Sequence, residues 1–280
     1  MDKNTSAARA ETLRALHHGQ DVLLLPNAWD VLTARVFEQQ GFPAVATTSG
    51  GIAWALGYGD GEQTPLAEVL AAVGRITRVV KVPVTVDFEG GYGASAQAVG
   101  ESVRAIIQAG AAGINLEDSL PGHGPLRPVD EAAARIRAAR QAADQAGVPI
   151  VINARVDAWM HAKDNPQAPL EDAIARGRAY LAAGADCLYP IGLLDVPVIS
   201  AFTTALNAPV NVMAVAATPP LAELKAAGVK RLSTATALTA LALGSVRNAV
   251  RTIRDTGTFD ALRSDFNYID AQSLFTTTAG

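Results

Sequence analysis

The sequence predicts an α/β chain folded as one (β/α)8 TIM barrel, and three observations carry that prediction. Eight short apolar, β-prone runs recur along the 280 residues, stretches of helical character follow them, and glycine or proline ends most of the helices that lead into the next run. Continuous apolar strands alternating with helices imply a parallel sheet covered on its outer face. Eight such units favour a closed barrel over an open doubly wound sheet.

In chain order, a helix over 7–17 precedes the first run, VLLLP (22–26). AVATTS (44–49) follows QGFPA, where glycine and proline stop a helix. The loop WALGYGDGEQTP (54–65) is too long and glycine-rich to be a simple connector, and such loops often act in a site. A helix over 66–80 then leads through KVPV into VTVDF (84–88), and one over 95–109 leads through AGAAG into GINLE (113–117). A helix over 129–146 leads through AGVPI into IVINAR (150–155), and one over 170–183 through AGADC into CLYPI (187–191). VNVMA (210–214) and, after AGVKR, RLSTA (231–235) complete the eight, and residues 259–274 predict one more helix. No linker interrupts the alternation, so residues 1–280 are expected to form one barrel domain with helical appendages.

Hydrophobic residues make up 49% of the chain and charged residues 18%, a balance that excludes a disordered or fibrous protein. The formal net charge is -4 and no Lys/Arg-rich run occurs, which argues against nucleic acid or an anionic membrane as the main partner. A local site for a small anion is still open. Cys187 is the only cysteine, so no intramolecular disulfide can form, in keeping with a reducing compartment. No stretch offers the roughly 20 apolar residues that span a bilayer. The expected location is the cytoplasm.

Catalytic groups of such a barrel sit at the C-terminal ends of its strands. In VDFEGGYG (86–93), strand alternation would point Asp87 and Glu89 to one side and Phe88 to the other. With Glu117 from the next strand they would make an oxygen-rich site suited to Mg²⁺ or Mn²⁺, of which magnesium needs only one or two carboxylates directly. Taken singly, each acid reads equally well as a helix cap or a solvated loop charge. Zinc is disfavoured, because His17, His18, His123 and His161 lack the spacing of a zinc motif and one cysteine makes no thiolate cluster. Arg155 lies in an apolar run and needs an anion, either a substrate carboxylate or phosphoryl group or an internal partner, Asp157 or Glu117. Thr48, Ser49, Gly50 and Gly51 end the second strand and offer a hydroxyl and backbone N–H groups to an anionic substrate end, although a glycine pair alone can be only a turn. The 54–65 loop brings Asp60 toward the same face, and Asn211 is a further candidate substrate contact.

LPNAWDVLTARVFEQQGFPAVATTSGGIA, LGYGD, VPVTVDFEGGYG, AGINLEDS and INARVDA, in that order over most of the first 160 residues, resemble the isocitrate lyase and phosphoenolpyruvate mutase superfamily, in its smaller branch. The resemblance implies a homotetramer, or a dimer, in which a C-terminal helix is exchanged between subunits, with 259–274 as that helix. It implies Mg²⁺ at Asp87, with Glu89 and Glu117 acting directly or through water, and a small anionic α-oxo acid as substrate. Ser49 with Gly50 and Gly51 matches the substrate-anion loop, Asp60 the loop aspartate beside the reacting group, and Arg155 the substrate-binding arginine. The lyase loop motif K-[KR]-C-G-H is missing: SLPGHGPLRPVDE keeps Gly122 and His123 but no cysteine. His123 either replaces that acid/base group or is incidental. Glu89 also stands where the second aspartate of the DxDxGYG pattern is common. The implied function is a Mg²⁺-dependent C–C lyase or decarboxylase. The alternatives are P–C bond chemistry, as in phosphoenolpyruvate mutase, carboxyphosphonoenolpyruvate phosphonomutase or phosphonopyruvate hydrolase, and a barrel that binds an oxo acid without turnover.

Overall fold

A computed structural model describes residues 2–122, 124–162 and 165–276. Its strands are β1 (Leu23–Leu25), β2 (Asn27–Ala28), β3 (Val45–Thr47), β4 (Val84–Asp87), β5 (Gly113–Glu117), β6 (Val151–Val156), β7 (Cys187–Pro190), β8 (Asn211–Met213) and β9 (Arg231–Ser233). Every pairing between them is parallel, and eight of them correspond to the runs read from the sequence, while β2 is split off just past the first run, beyond Pro26. Proline explains the split. Pro26 has no N–H to donate, and at this point the chain changes neighbours, β1 pairing with β9 and β2 with β3. One sheet runs β2-β3-β4-β5-β6-β7 and the other β1-β9-β8. They meet at the shared 23–28 segment and at a parallel bridge between Leu188 and Val210, which carries the strand order around the ring.

The helices are α1 (Lys3–His17), α2 (Val31–Gln39), α3 (Ser49–Leu56), α4 (Leu66–Val79), α5 (Ala96–Gln108), α6 (Val129–Ala146), α7 (Leu170–Ala182), α8 (Val196–Leu206), α9 (Leu221–Ala226), α10 (Ala237–Thr256) and α11 (Tyr268–Thr276). Side-chain caps fix several of their starts: Asp30 and Thr33 form a reciprocal capping box at α2, and Ser95 caps α5. Helix α1 buries Ala10, Leu13 and His17 against the N-terminal end of the barrel. Gly113 makes room for it there, since a Cβ at that position would lie 2.8 Å from Leu13 Cδ2. Among the described residues no helix is long and apolar enough to cross a membrane.

Two regions depart from the sequence reading. Ser49, Gly50 and Gly51 open a helix, α3, rather than a turn, because the Thr48 hydroxyl accepts the Gly51 N–H and caps it. Residues 259–274 form not one helix but a 3₁₀ turn at Asp260–Leu262 and then α11, whose Leu274 packs into the same chain where Arg35 Nε donates to its carbonyl at 2.8 Å. The helix that leaves the barrel is α10. Of its 20 residues only Thr239 is buried, while Leu241, Leu243, Val246 and Val250 are exposed.

Candidate active site

The site grows from the C-terminal ends of β3 to β6. Asp87 is the last residue of β4, where its N–H donates to Thr47 Oγ1 at 3.1 Å. Its carboxylate Oδ2 accepts the Ser49 N–H at 3.1 Å and the Ser49 hydroxyl at 2.8 Å, and Oδ1 accepts Asn115 Nδ2 at 3.3 Å. The first N–H groups of a helix have no intrahelical partner and favour an anion, so the start of α3 and the end of β4 fit one another. Thr48, Ser49 and Asp87 are therefore brought together as the sequence suggested.

Glu117 ends β5 and faces Arg155 of β6 across a register pair. Arg155 Nη1 lies 2.5 Å from Glu117 Oε2, while Nε and Nη2 grip Asp157 at 2.6 and 2.8 Å. Both internal partners weighed for Arg155 are thus engaged at once. Three of its five N–H donors are used, which leaves two for a further anion. Burial works against the arginine's charge, but Glu117 and Asp157 outweigh it and hold its pKa well above the ordinary value. Burial lifts the Glu117 pKa, the charges of Asp157, Asp87 and Glu89 add to the lift, and Arg155 opposes them. Asp157 is itself fixed from below: its N–H donates to Asp118 Oδ1 at 2.9 Å, and Asp118 is held by the Tyr180 hydroxyl and Arg176.

Glu89 does something the pattern did not foresee. Strand β4 stops at Asp87, so the alternation that would set Glu89 beside it does not extend that far. Glu89 instead takes a φ of 49°, and its carboxylate accepts the Glu62 N–H and the Tyr92 hydroxyl. Glu62 in turn accepts the Tyr92 N–H at 2.8 Å. Glu62 and Tyr92 also have left-handed backbones, with φ of 61° and 53°. Three strained, non-glycine residues thus form one clasp between the 57–65 loop and the loop after β4, at a cost of order 1 kcal/mol each. Burial raises the Glu89 pKa to about 7, helped by the charges of Asp87 and Asp60 and opposed by the Tyr92 hydrogen bond.

The clasp also sets the loop that carries Asp60. A Cβ on Gly50 would stand 3.2 Å from Asp60 Oδ2, so that carboxylate lies over the opening turn of α3 because Gly50 lets it approach. Gly61 approaches the next loop still more closely, its missing Cβ falling 2.7 Å from the Gly122 Cα. His123, the candidate acid/base group beside it, lies outside the described residues.

Asn211 does not join this group. It is the first residue of β8, fully buried at the N-terminal end of the barrel, and its amide exchanges hydrogen bonds with Ser233. An apolar strand start points a polar side chain into the barrel, not up to its mouth. Sequence reasoning missed Glu62, Tyr92, Asn115 and Arg231. For Arg231 a signal existed, a charged residue opening an apolar run, the same kind of signal that singled out Arg155.

Among the described residues, no three His, Cys, Asp or Glu side chains converge closely enough to hold a metal by themselves. The expected trio is separated because Glu89 is drawn into the clasp and Glu117 onto Arg155. Asp87 keeps lone-pair capacity beyond its three hydrogen bonds, and the mutual repulsion that raises Glu89 and Glu117 would be relieved by a cation. This all-oxygen, like-charged set fits a hydrated Mg²⁺ that takes one carboxylate directly and reaches others through water.

Comparison with known proteins agrees with that architecture. The family model described as phosphoenolpyruvate phosphomutase matches residues 13–254. The chain is 34% identical to 2-methylisocitrate lyase of Escherichia coli K12 over 196 residues, 66% of this chain and 64% of that enzyme, so the match spans less than two thirds of the relative. A crystal structure from Burkholderia cenocepacia J2315, provisionally named a phosphonomutase, is 44% identical, covers 88% of this chain and 99% of its own, and superposes with a TM-score of 0.84. Oxaloacetate acetylhydrolase in complex with its product oxalate is 26% identical over 95% of this chain and 93% of its own, with a TM-score of 0.85. These named relatives are lyases, mutases and hydrolases with the same barrel. With a matched region that takes in every barrel strand and the whole of the site, the chain belongs to the phosphoenolpyruvate phosphomutase family, within the PEP mutase/isocitrate lyase superfamily of enzymes.

Proposed function

We propose that this protein is a Mg²⁺-dependent enzyme that cleaves a C–C bond of a small α-oxo carboxylic acid, as a lyase or decarboxylase. The observation that carries this reading is the placement of Asp87, braced by Ser49, beside an Arg155 that still has N–H donors to give. Asp87, with Glu89 and Glu117 in reach, would hold the cation, which would supply positive charge to stabilise the negative charge that C–C cleavage beside a carbonyl develops on oxygen. Mn²⁺ fits the same donors. The protein's own part is positional. Arg155 offers its remaining planar donors to a substrate carboxylate, and Glu117 and Asp157 keep that fork from rotating. Ser49 holds the Asp87 carboxylate at the opening turn of α3, while Asp60 lies over that turn on a loop fixed by the clasp.

The lyase and hydrolase names among the relatives support C–C chemistry, and the small loop around Gly122 departs from the cysteine-bearing pattern, which leaves the exact substrate to experiment. The test is turnover of 2-methylisocitrate, oxaloacetate, phosphonopyruvate and phosphoenolpyruvate with Mg²⁺ and with a chelator. Chelator-sensitive release of an oxo acid from either of the first two is expected. Turnover of only the phosphorus compounds would replace this reading with P–C chemistry, and binding without turnover would replace it with a metabolite-binding barrel.

The exposed apolar side chains of α10 support a homo-oligomer in which that helix covers a neighbouring barrel, and a tetramer is the assembly proposed. Light scattering should give a tetramer's mass, and replacing Leu241 and Val246 with Glu should lower it; a monomeric parent would contradict the assembly. The buried thiol of Cys187, the absence of any long basic run and the small anionic substrate fit a cytoplasmic enzyme that uses neither nucleic acid nor membrane.

A further inference from the structure

The floor of the barrel holds a charge that the proposed reaction does not use. Arg231, the first residue of β9, is fully buried and is the largest side chain so buried. No carboxylate lies within ion-pair distance of it among the described residues. Its Nη1 meets His17 Nε2 at 3.4 Å, its Nη2 donates to Asn115 Oδ1 at 3.1 Å, and its Nε has no partner. His17 Nδ1 donates to the Leu13 carbonyl at 2.7 Å, so Nε2 is left as an acceptor and the imidazole is neutral. A guanidinium buried without a counterion is expensive, and a methionine or leucine would fill a barrel interior at less cost.

We infer that Arg231 is a positioning residue for Asp87, acting through the side-chain amide of Asn115. Asn115 Oδ1 receives two donors, Arg231 Nη2 and Asn153 Nδ2 at 2.8 Å, and this fixes which end of the amide is oxygen. Its Nδ2 is thereby turned to Asp87 Oδ1. Without Arg231 the amide keeps one donor on its oxygen and can rotate, and Asp87 loses the partner that sets the plane of its carboxylate. The inference rests on the reading of Asp87 as the metal ligand.

The test is Mn²⁺ affinity of the full-length protein, followed by electron paramagnetic resonance, with thermal unfolding recorded alongside. Arg231→Met and Asn115→Leu should each weaken Mn²⁺ binding about tenfold or more, Arg231→Lys should recover part of the loss, and the double variant of Arg231→Met with Asn115→Leu should bind no more weakly than the weaker single variant. Wild-type affinity, within twofold, in folded Arg231→Met overturns the inference, as do fully additive losses in the double variant. If Arg231→Met does not fold, Asn115→Leu decides, and unchanged affinity there overturns it. A wild-type protein that binds no Mn²⁺ overturns the metal reading itself, whereas a wild type that binds while these variants are unmoved overturns only the role of Arg231.

Discussion

At the mouth of the barrel, Glu117 and Asp157 crowd onto Arg155 with Asp87 and Glu89 nearby. At the floor, Arg231 at the start of β9 sits among His17, Asn115 and Cys187 without a carboxylate beside it among the described residues. The two arginines are equally hidden, and the difference between them is the company they keep. The mouth has negative charge in surplus, which the proposed cation would balance; the floor has positive charge in surplus and is finished by neutral dipoles. A polar layer of Asp87, Asn115 and Asn153 joins the two, where a barrel of this type is ordinarily filled with branched aliphatic side chains.

Three substitutions test that contrast. Arg155→Met removes the buried cation between Glu117 and Asp157 and leaves the two facing each other, which should cost about 3–5 kcal/mol in denaturant unfolding and abolish turnover. A loss under about 1 kcal/mol would mean that the two carboxylates need no charge between them. At the floor the sensitive group is His17, whose pKa burial and then Arg231 depress to about 3. The unfolded chain protonates near 6.5 while the folded chain does not, so stability is complete above that pH and falls as pH drops toward about 3. Relative to His17→Gln, the wild type should lose about 2 kcal/mol between pH 8 and pH 5. A constant difference over that range would show that the folded floor accepts a second positive charge. The smallest effect is expected at the rim, where Tyr92→Phe removes one hydrogen bond from the Glu89 clasp and should cost about 1 kcal/mol, with weaker substrate binding as the Asp60 loop loosens. Unaltered stability and substrate affinity would deny the clasp that role.

The mouth was far more legible in the sequence than the floor. Parallel strands buried on both faces read as continuous apolar runs, so all eight could be found, and charged residues at their C-terminal ends stood out as Asp87, Glu117 and Arg155. Glu89 was misplaced because period-two alternation holds only while the strand lasts, and left-handed φ values at Glu89 and Tyr92 cannot be inferred from residues that rarely adopt them. Arg231 and Asn211 open their strands, where a barrel usually keeps structure and not chemistry, so Arg231 attracted no attention and Asn211 was assigned to the wrong end. The break of 259–274 into a 3₁₀ turn and α11 was missed for a different reason: no glycine or proline marks it.

The central claim is that Asp87 holds the cation on which catalysis depends. Its most direct test is to strip the protein of metal, restore Mg²⁺ in steps and follow oxo-acid release in the wild type and in Asp87→Ala. Chelation should silence the wild type, Mg²⁺ should restore it, and Asp87→Ala should stay at least about a thousandfold less active at every concentration. Turnover that survives exhaustive chelation, or an Asp87→Ala variant with the wild type's Mg²⁺ dependence, would contradict it.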